Sequence, residues 1–329
     1  MTAAQTLLSD SGFAAINRGF ASLFQPDRLS IGLVAPIETY DRSPVPTMQH
    51  HLERAELAEA LGFGAIWLRD VPFNVPSFGD AGQVFDPFVY LGALAARTEK
   101  IALGVASIIL PLRHPAHVAK AATSVDALSS GRLILGVASG DRPQEYPAMN
   151  VDFHERSALF RDSFEYIRRM ADPFPAFGND RGVVSGMDML PKPVGGRLPL
   201  LVTGGSQQSP DWIAQNADGW MTYPRGTVDQ ARIIADWRAR IGPDQPAKPV
   251  MQPLYVDLLD DDRAPPQPLH LGFRSGLAAL KTYLKSLEEI GVNHVALNLR
   301  FNQADTEDTM ARLAERLLPD FPTHEGGQQ

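Results

Sequence analysis

Five arginines stand at or just past the ends of short apolar runs in a protein whose formal net charge is −8. They are Arg69, Arg113, Arg142, Arg225 and Arg300. Guanidinium groups hold planar carboxylates and phosphates through paired N–H donors, so this placement is typical of a site for an anionic or carbonyl-bearing small molecule. An ion pair with a nearby carboxylate on the rim would explain each arginine equally well, and both interpretations stay open.

The stretch VTGGSQQSPDW, residues 202–212, has the parts of a phosphate site. Gly204 and Gly205 allow backbone N–H groups to approach an anion closely, and Ser206 and Ser209 add hydroxyl donors before a helix start. A plain helix start, with Ser209 as N-cap and proline at the first helical position, would produce the same letters. The sequence does not separate these two interpretations.

A third polar group follows the apolar run RLILGVAS, residues 132–139. Within seven residues the chain carries a glycine, two acids, an arginine and a tyrosine: Gly140, Asp141, Arg142, Glu145 and Tyr146. Such a dense polar cluster after a buried strand is typical of the end of a barrel strand that faces an active site.

Eight apolar runs rich in Val, Ile and Leu recur along the chain, with helical patterns between them. They span 30–38, 64–70, 101–110, 132–139, 198–204, 219–224, 250–259 and 294–300. Continuous apolar runs favour parallel strands covered on both faces. Asp86 and Pro87 form a helix start of the N-cap and first-turn type. The repeated strand–helix order predicts an α/β fold, a (β/α)8 TIM barrel, with an open doubly wound sheet as the alternative.

The barrel is expected to form one domain over residues 29–320. Residues 1–28 form an N-terminal extension that is expected to carry a covering helix, and residues 321–329 form a tail. Two inserts rich in Gly and Pro, 173–197 and 260–273, follow the fourth and seventh strands. Long loops after barrel strands usually shape the active site, which predicts that role for both inserts.

The composition narrows the class of partner. Hydrophobic residues make up 44% of 329 residues, enough for a large core, and the acidic balance argues against nucleic acid. The chain has no cysteine, which excludes thiolate chemistry and fits the cytoplasm. We expect no membrane span, because no apolar run approaches the roughly 18 residues required, and no signal peptide.

Several familiar motifs are missing. There is no G-x-G-x-x-G, no G-x-x-x-x-G-K-[ST], no G-x-S-x-G and no H-E-x-x-H. No lysine ends a predicted strand, which argues against Schiff-base chemistry. Glu38, Asp70 and Asp141 end three predicted strands, so a metal-dependent hydrolase stays an alternative.

The block GVASIILPLRHPAHVAKAATSVDALSSGRLILGVASG, residues 104–140, resembles the bacterial luciferase-like monooxygenase family. The turn around "LPLRHP", the Ala-rich helix, the "DALSSGR" turn and the Gly-containing strand carry this likeness. Residues 61–70, 86–104 and 204–224 support it. The resemblance implies a TIM barrel that binds FMN, or in some branches the deazaflavin F420, and that forms a homodimer.

The resemblance also implies roles for individual residues. Val105–Ala106 matches a non-prolyl cis peptide against the flavin ring, and Ser206 and Ser209 match hydroxyls that hold the flavin phosphate. Ser139 falls where luciferases carry a phosphate-binding arginine, and Arg142 would take that place. The residues expected to contact the cofactor are Val105, Ala106, Ser107, Ser139, Gly140, Asp141, Glu145, Tyr146, Thr203, Gly204, Gly205, Ser206, Ser209 and Tyr223.

One departure concerns catalysis. Luciferases end their second strand with Glu-His, whereas this chain has Asp70-Val71. An acidic residue is therefore present at the first position, but the histidine is replaced by valine. Light emission is therefore not expected. The catalytic candidates are Asp70, Arg113, His114 and Arg142, of which His114 begins the helix after the third strand.

These observations predict a flavin-dependent oxidoreductase, foremost an FMN monooxygenase. It would take reduced flavin from a separate reductase, because no nicotinamide motif is present, and would use O2 on a small organic substrate. The alternatives are an F420-dependent reductase or dehydrogenase that transfers hydride, the metal-dependent hydrolase, and a flavin-binding barrel without turnover.

Overall fold

The computed structural model describes residues 12–242 and 245–323, which form a closed barrel of parallel strands surrounded by helices. In chain order the elements are α1 (Arg18–Leu23), β1 (Ser30–Val34), α2 (His51–Ala60), β2 (Ala65–Leu68), α3 (Pro87–Arg97), β3 (Ala102–Ile109), α4 (Pro115–Leu128), β4 (Leu133–Ala138), α5 (Glu145–Ala148), α6 (Arg156–Arg169), β5 (Phe177–Asn179), β6 (Gly182–Val184), β7 (Leu200–Thr203), α7 (Pro210–Asn216), β8 (Gly219–Met221), α8 (Thr227–Ile241), β9 (Val250–Leu258), β10 (Gln267–Leu269), β11 (Gly272–Ser275), α9 (Leu277–Glu289), β12 (His294–Asn298) and α10 (Thr306–Arg316).

The barrel runs β1-β2-β3-β4-β7-β8-β9-β12 and closes where β12 pairs with β1. Every one of these pairings is parallel, as a right-handed chain of strand–helix units requires. Each of the eight predicted apolar runs contains one barrel strand, so the predicted TIM barrel is confirmed and the open-sheet alternative is wrong. The predicted helix start also holds, because the Asp86 side chain accepts from the N–H groups of Phe88 and Val89.

Side chains on each strand alternate between two apolar layers. On β2, Ile66 and Leu68 pack outward into the layer under the helices, whereas Ala65 and Trp67 point into the barrel. Both layers are apolar because the sheet is covered on both faces, and this explains why the strands read as continuous apolar runs rather than alternating ones.

The N-terminal extension closes the lower end of the barrel, and its segment 13–24 is called the N-terminal plug below. Phe13, Ile16, Phe20 and Phe24 are buried and pack against inward side chains of the strands. The expected covering helix is present as the short α1, whose N-cap Asn17 accepts from the N–H of Phe20. Residues 1–11 of the extension lie outside the described residues.

A chain of hydrogen bonds crosses the barrel interior. Trp67 Nε1 donates to His294 Nε2 at 2.9 Å, so the proton of this neutral imidazole sits on Nδ1, which contacts Ser30 Oγ at 2.8 Å. Ser30 Oγ donates in turn to the carbonyl of Leu23 at 2.7 Å. Burial lowers the pKa of His294 to about 3, which keeps the ring uncharged. These hydrogen bonds link the side chains in the barrel interior to the backbone of the N-terminal plug.

Both inserts form hairpins rather than helices. In the first, β5 and β6 pair antiparallel; in the second, β10 pairs with β11, and β11 adds alongside the upper half of β9. At the C-terminus Phe321 is buried, and residues 324–329 of the expected tail lie outside the described residues. The proposed domain limits at 29 and 320 stay predictions.

The fit of the plug generates a stability prediction. A Cβ at Gly19 would lie 2.5 Å from the carbonyl oxygen of Arg132, a backbone atom with little freedom to move. We expect Gly19→Ala to lower the free energy of unfolding by about 1–3 kcal/mol, as overpacking does, measured by urea denaturation. The matched control is Gly92→Ala in α3, where a Cβ meets nothing within 4 Å and stability should hold or rise. Equal effects of the two changes would contradict this account of the plug.

Candidate active site

A cavity of about 630 Å³ opens at the carboxyl ends of the barrel strands. Many predicted site residues line it: Asp70, Ala106, Ser107, Ser139, Gly140, Asp141, Arg142, Thr203, Gly204, Gly205, Ser206 and Tyr223. Inward side chains of Trp67, Met221 and Met251 form part of its apolar lining. The volume lies in the range of small-molecule and cofactor sites.

The predicted cis peptide is displaced by one residue. The non-prolyl cis bond joins Ala106 to Ser107, not Val105 to Ala106. Alternation along β3 turns Val105 outward into the helix-facing layer, where its side chain is fully buried, while Ala106 and Ser107 line the cavity. Val105 is therefore corrected from a cavity residue to a core residue.

Two hydroxyls join neighbouring parts of the cavity wall. Ser107 Oγ and Thr203 Oγ1 hydrogen-bond to each other between β3 and β7, the two strands that flank β4 in the barrel. Thr203 Oγ1 also lies 3.2 Å from the sulfur of Met221. The pair places two polar groups in a largely apolar part of the cavity, which is how such sites orient a flat ligand.

The turn after β7 presents free backbone donors. Gly204, Ser206 and Gln207 have φ values of +55°, +42° and +59°, and the N–H groups of Gly205, Ser206 and Gln207 find no acceptor among the described residues. Ser206 Oγ donates to the Thr203 carbonyl at 2.7 Å. Successive N–H groups in turns of this kind form anion-binding concavities.

Ser209 and His114 serve as helix caps instead of lining the cavity. Ser209 Oγ accepts from the N–H of Trp212 at 3.2 Å, the plain interpretation of that helix start. His114 Nδ1 accepts from the N–H of Ala116 at 3.3 Å, at the start of α4. Neither residue lines the cavity, and the Ser209 hydroxyl keeps its own proton free to donate. The predicted cofactor contact of Ser209 and the predicted catalytic role of His114 stay predictions.

Asp70 and Arg113 form a supporting ion pair. Arg113 Nε and Nη2 donate to the two oxygens of Asp70 at 2.8 and 2.7 Å, and Asp70 also accepts from the Ile109 N–H at 3.1 Å. Asp86 binds Arg113 on its other side at 2.8 Å. Arg113 does not line the cavity, since two carboxylates hold it outside, and Asp70 stands in the wall with its oxygens occupied.

A second network was not visible in the sequence. Asp80, in the long loop after β2, lines the cavity and binds both Arg69 and Arg300. Burial by itself would raise the pKa of Asp80, but the arginines lower it below its usual value. The ion-pair interpretation thus applies to Arg69, Arg113 and Arg300, whereas Arg225 bonds to the neutral oxygens of Thr222, Tyr223 and Gln230.

The two inserts differ in their relation to the cavity. His270 and Leu271, in the turn between β10 and β11, line it, as predicted for the second insert. No residue of 173–197 does, although that whole segment is described, because the β5–β6 hairpin packs on the outside, where Arg181 donates to the Arg113 carbonyl. Of the described histidines only His270 reaches the cavity; its position within a Pro-rich loop offered no signal.

Comparison with known proteins identifies the family. The model of the luciferase-like monooxygenase family matches residues 28–316 of the 329. The chain belongs to the luciferase-like monooxygenase family.

Individual comparisons give one relative of similar sequence and two structures of the same fold. An uncharacterized protein of Mycobacterium tuberculosis is 32% identical over 209 residues, 58% of this chain and 74% of its own. The fold is shared with monooxygenase RslO1 from Streptomyces bottropensis, with a TM-score of 0.74, 18% identity and coverage of 88% and 99% of the two chains. An F420-dependent secondary alcohol dehydrogenase gives a TM-score of 0.71 at 17% identity and covers 88% and 98%. Because the chain belongs to the luciferase-like monooxygenase family, the protein is an enzyme of the flavin-dependent monooxygenase and oxidoreductase class.

The metal alternative finds no support in the geometry of this luciferase-like barrel. Among residues 12–242 and 245–323 no three His, Asp or Glu side chains are grouped to hold a metal ion. Glu38 accepts from the N–H and hydroxyl of Thr47, and Asp70 is bound to Arg113, so these carboxylates do not converge with Asp141. In the same described residues no helix has the length and apolar character to cross a bilayer.

Glu145 and Tyr146 lie beneath the cavity wall of the luciferase-like enzyme rather than in it. The Tyr146 hydroxyl donates to the Ser139 carbonyl. Both carboxylate oxygens of Glu145 are buried without a hydrogen-bond partner, and the nearest cation, Arg142 Nη1, lies 3.8 Å away. Burial raises the pKa of Glu145 to about 7, against the opposing effect of Arg142. These two residues support the loop that carries Asp141 and Arg142, which corrects their predicted contact with cofactor.

The raised pKa predicts a stability effect with a definite sign. Because the folded protein holds the Glu145 proton more tightly than the unfolded chain, this group lowers stability as pH rises from about 4.5 to about 7. Glu145→Gln should therefore raise the free energy of unfolding by about 1–3 kcal/mol at pH 8, and much less at pH 5. Urea denaturation at both pH values measures this. The exposed Glu289→Gln is the control, and a pH-independent effect of Glu145→Gln would be incompatible with the argument.

Proposed function

We propose that this enzyme is an FMN-dependent monooxygenase that uses reduced flavin and O2 on a small organic substrate bearing an anionic or carbonyl group. The observation that carries the proposal is the turn at 204–207, whose three free N–H groups stand in the wall of the same cavity as the Ser107–Thr203 hydroxyl pair. A phosphate acceptor and a polar contact for a flat ring are thereby available in one cavity.

The described residues fit FMN by size and by donor chemistry. The N–H groups of Gly205, Ser206 and Gln207 would hold the phosphate, and the Ser206 hydroxyl would join them by turning its proton away from the Thr203 carbonyl. Ala106, Ser107 and Tyr223 would contact the ring. Bound reduced flavin supplies the two electrons that activate O2. A tenfold difference in affinity corresponds to about 1.4 kcal/mol, so even one lost phosphate contact should be measurable.

The chain's own residues position the reaction and exclude water from it. Trp67, Met221 and Met251 cover the inner end of the cavity with apolar surface. Asp70, fixed by Arg113, holds the N–H of Ile109 at 3.1 Å and so stabilises the end of β3 beside the cis peptide. Exclusion of water and fixed polar groups are the protein's usual contributions in cofactor enzymes.

Further properties belong to the same proposal. We place the protein in the cytoplasm, in keeping with its lack of cysteine, and as a homodimer, in keeping with its family. A separate flavin reductase is its proposed partner, because the sequence has no nicotinamide-binding motif. The F420-dependent hydride-transfer enzyme is the alternative, and cofactor preference separates the two.

Titration of the purified protein with FMN and with F420 tests the cofactor assignment. We expect saturable FMN binding, followed by flavin fluorescence, and a loss of affinity of about tenfold or more in Ser206→Asp, since the new carboxylate repels a phosphate. Ser185→Asp, at an exposed position of the outer hairpin, is the matched control and should bind as the unaltered protein does. Equal FMN binding by Ser206→Asp would refute the placement at 204–207, and preference for F420 would select the alternative.

A second experiment tests the source of electrons. With FMN bound, NADH and NADPH alone should leave the flavin absorbance unchanged, because the chain offers no nicotinamide site. Adding a purified NAD(P)H:flavin reductase should then bleach the absorbance of the protein-bound flavin, recorded without O2 so that reduced free flavin cannot be reoxidised. Direct bleaching of the bound flavin by NADH would show that the protein needs no separate reductase, and this part of the proposal would be wrong.

A further inference from the structure

Three arginines in the cavity wall keep buried nitrogens without partners. Arg69 Nε, Arg142 Nη1 and Arg300 Nε have no hydrogen-bond partner among the described residues, and all three side chains line the cavity. Their side chains are 19%, 11% and 12% exposed. Buried donors are nearly always satisfied in folded proteins, so three incompletely satisfied guanidinium groups in one wall are unusual. The three nitrogens themselves have almost no accessible surface, and Arg142 Nη1 faces Glu145 Oε1 at 3.8 Å, so a ligand would meet the cavity-facing sides of the guanidinium groups.

The three side chains converge on one residue, Asp80. Arg69 Nη1 and Arg300 Nη1 lie 2.7 and 2.9 Å from Asp80 Oδ2, and Arg142 Nη2 donates to the Asp80 carbonyl at 3.3 Å. Asp80 Oδ1 also accepts from Tyr40 and from the N–H of Gly82. Its carboxylate is thus fully used, while each guanidinium group retains a free donor.

The carboxylates near Arg69, Arg142 and Arg300, called the three-arginine wall below, do not balance the charge of the three guanidinium groups. Among the described carboxylates, only Asp80 and Glu145 come within 4.0 Å of the three guanidinium groups, and Glu145 stays at 3.8 Å from Arg142, outside hydrogen-bond distance. Asp141 lines the same cavity without forming an ion pair with them. A bound anion would therefore balance the remaining positive charge and would not need to displace Asp80.

Aromatic rings lie against the same cations. The Arg142 guanidinium lies 4.6 Å from the ring centre of Phe78, and that of Arg300 lies 4.8 Å from Tyr40 and 5.3 Å from Phe301. Phe78 and Phe301 also line the cavity, as does Tyr255, whose ring packs against Phe301. A ligand here would place its charged group on arginine and its apolar body on aromatic surface.

The wall lies across the barrel from the proposed phosphate turn. Arg69 follows β2 and Arg300 follows β12, the two neighbours of β1 in the barrel. The turn at 204–207 follows β7, which is four strands away from β1 in either direction round the ring of eight. Arg142, after β4, reaches toward Asp80 from the intervening side. Arg69 and Arg300 therefore lie on the opposite side of the same cavity from the phosphate turn, with Arg142 between them.

We propose that the three-arginine wall recognises the substrate, and that the substrate is a small organic acid whose carboxylate binds the cavity-facing sides of the Arg69, Arg142 and Arg300 guanidinium groups while its apolar body packs on Phe78 and Phe301. This inference rests on the proposed function only in assigning the bound acid as the substrate of the flavin reaction. The planar fork of a guanidinium group matches carboxylate and phosphate oxygens alike, so the experiment compares both.

The probes are benzoate, its neutral counterpart benzamide, and phenylphosphonate, titrated by calorimetry into protein with and without FMN. Benzoate should bind at least about tenfold more tightly than benzamide, with or without FMN, because the free N–H groups require an anion. Tighter binding of phenylphosphonate than benzoate would overturn the carboxylate assignment. Equal binding of benzoate and benzamide, or no binding of either acid, would overturn the site itself.

Two variants locate the binding. Arg142→Gln and Arg300→Gln should each weaken benzoate by about tenfold or more and leave FMN affinity within about twofold, and retained FMN binding shows that the variant is folded. Arg232→Gln, an exposed arginine on α8, is the control.

Two outcomes would assign the wall to the cofactor instead. One is that benzoate competes with FMN, and the other is that Arg142→Gln lowers the affinity for FMN while the affinity for benzoate is unaffected. Benzoate binding without any FMN binding would leave the anion site standing and remove the proposed flavin function, so the two failures are distinguishable.

Discussion

The filling of the barrel from below is the constraint on which the rest of the structure depends. An eight-stranded barrel has an interior that side chains must fill, and here the lower part holds the Trp67 ring and the aromatic residues of the N-terminal plug. Gly104 makes room for that ring, since a Cβ there would lie 2.3 Å from it. The hydrogen-bonded chain through His294 fixes the indole. Because these side chains fill the lower part of the barrel, the cavity of about 630 Å³ opens at the carboxyl ends of the strands.

Charge at that open end is arranged in two ways. Asp70, Arg113 and Asp86 form a satisfied network at the end of β2 that supports the strand end beside it. Around Asp80, by contrast, arginines outnumber the carboxylates that hydrogen-bond to them, and donors remain free. The first arrangement is what a structural ion pair needs, because both carboxylates are hydrogen-bonded to the same guanidinium group. The second leaves capacity for a ligand. The same residue type therefore supports the fold at one position and faces the cavity at another.

The family resemblance located the cavity better than it located individual contacts. Residues at strand ends, such as Ser107, Thr203 and Ser206, lie in the wall as expected. The residues that do not line the cavity differ for local reasons: Val105 alternates outward on β3, and Ser209 caps the helix α7. One residue along a strand reverses the direction of a side chain, so a match that is correct within one residue still misassigns the contact.

The sequence by itself determined the strands, the helix starts and the order that closes them into a barrel. These features depend on hydrophobic runs and on capping bonds between residues two or three apart, as at Asp86. Only the tertiary structure decided which arginines are paired and which keep free donors, and that His270 enters the cavity from a hairpin in an insert. The pair between Arg300 and Asp80 joins residues 220 positions apart, and no local pattern encodes such a contact. It forms because barrel closure brings the ends of β12 and β2 to the same rim, where burial makes an unpaired charge costly.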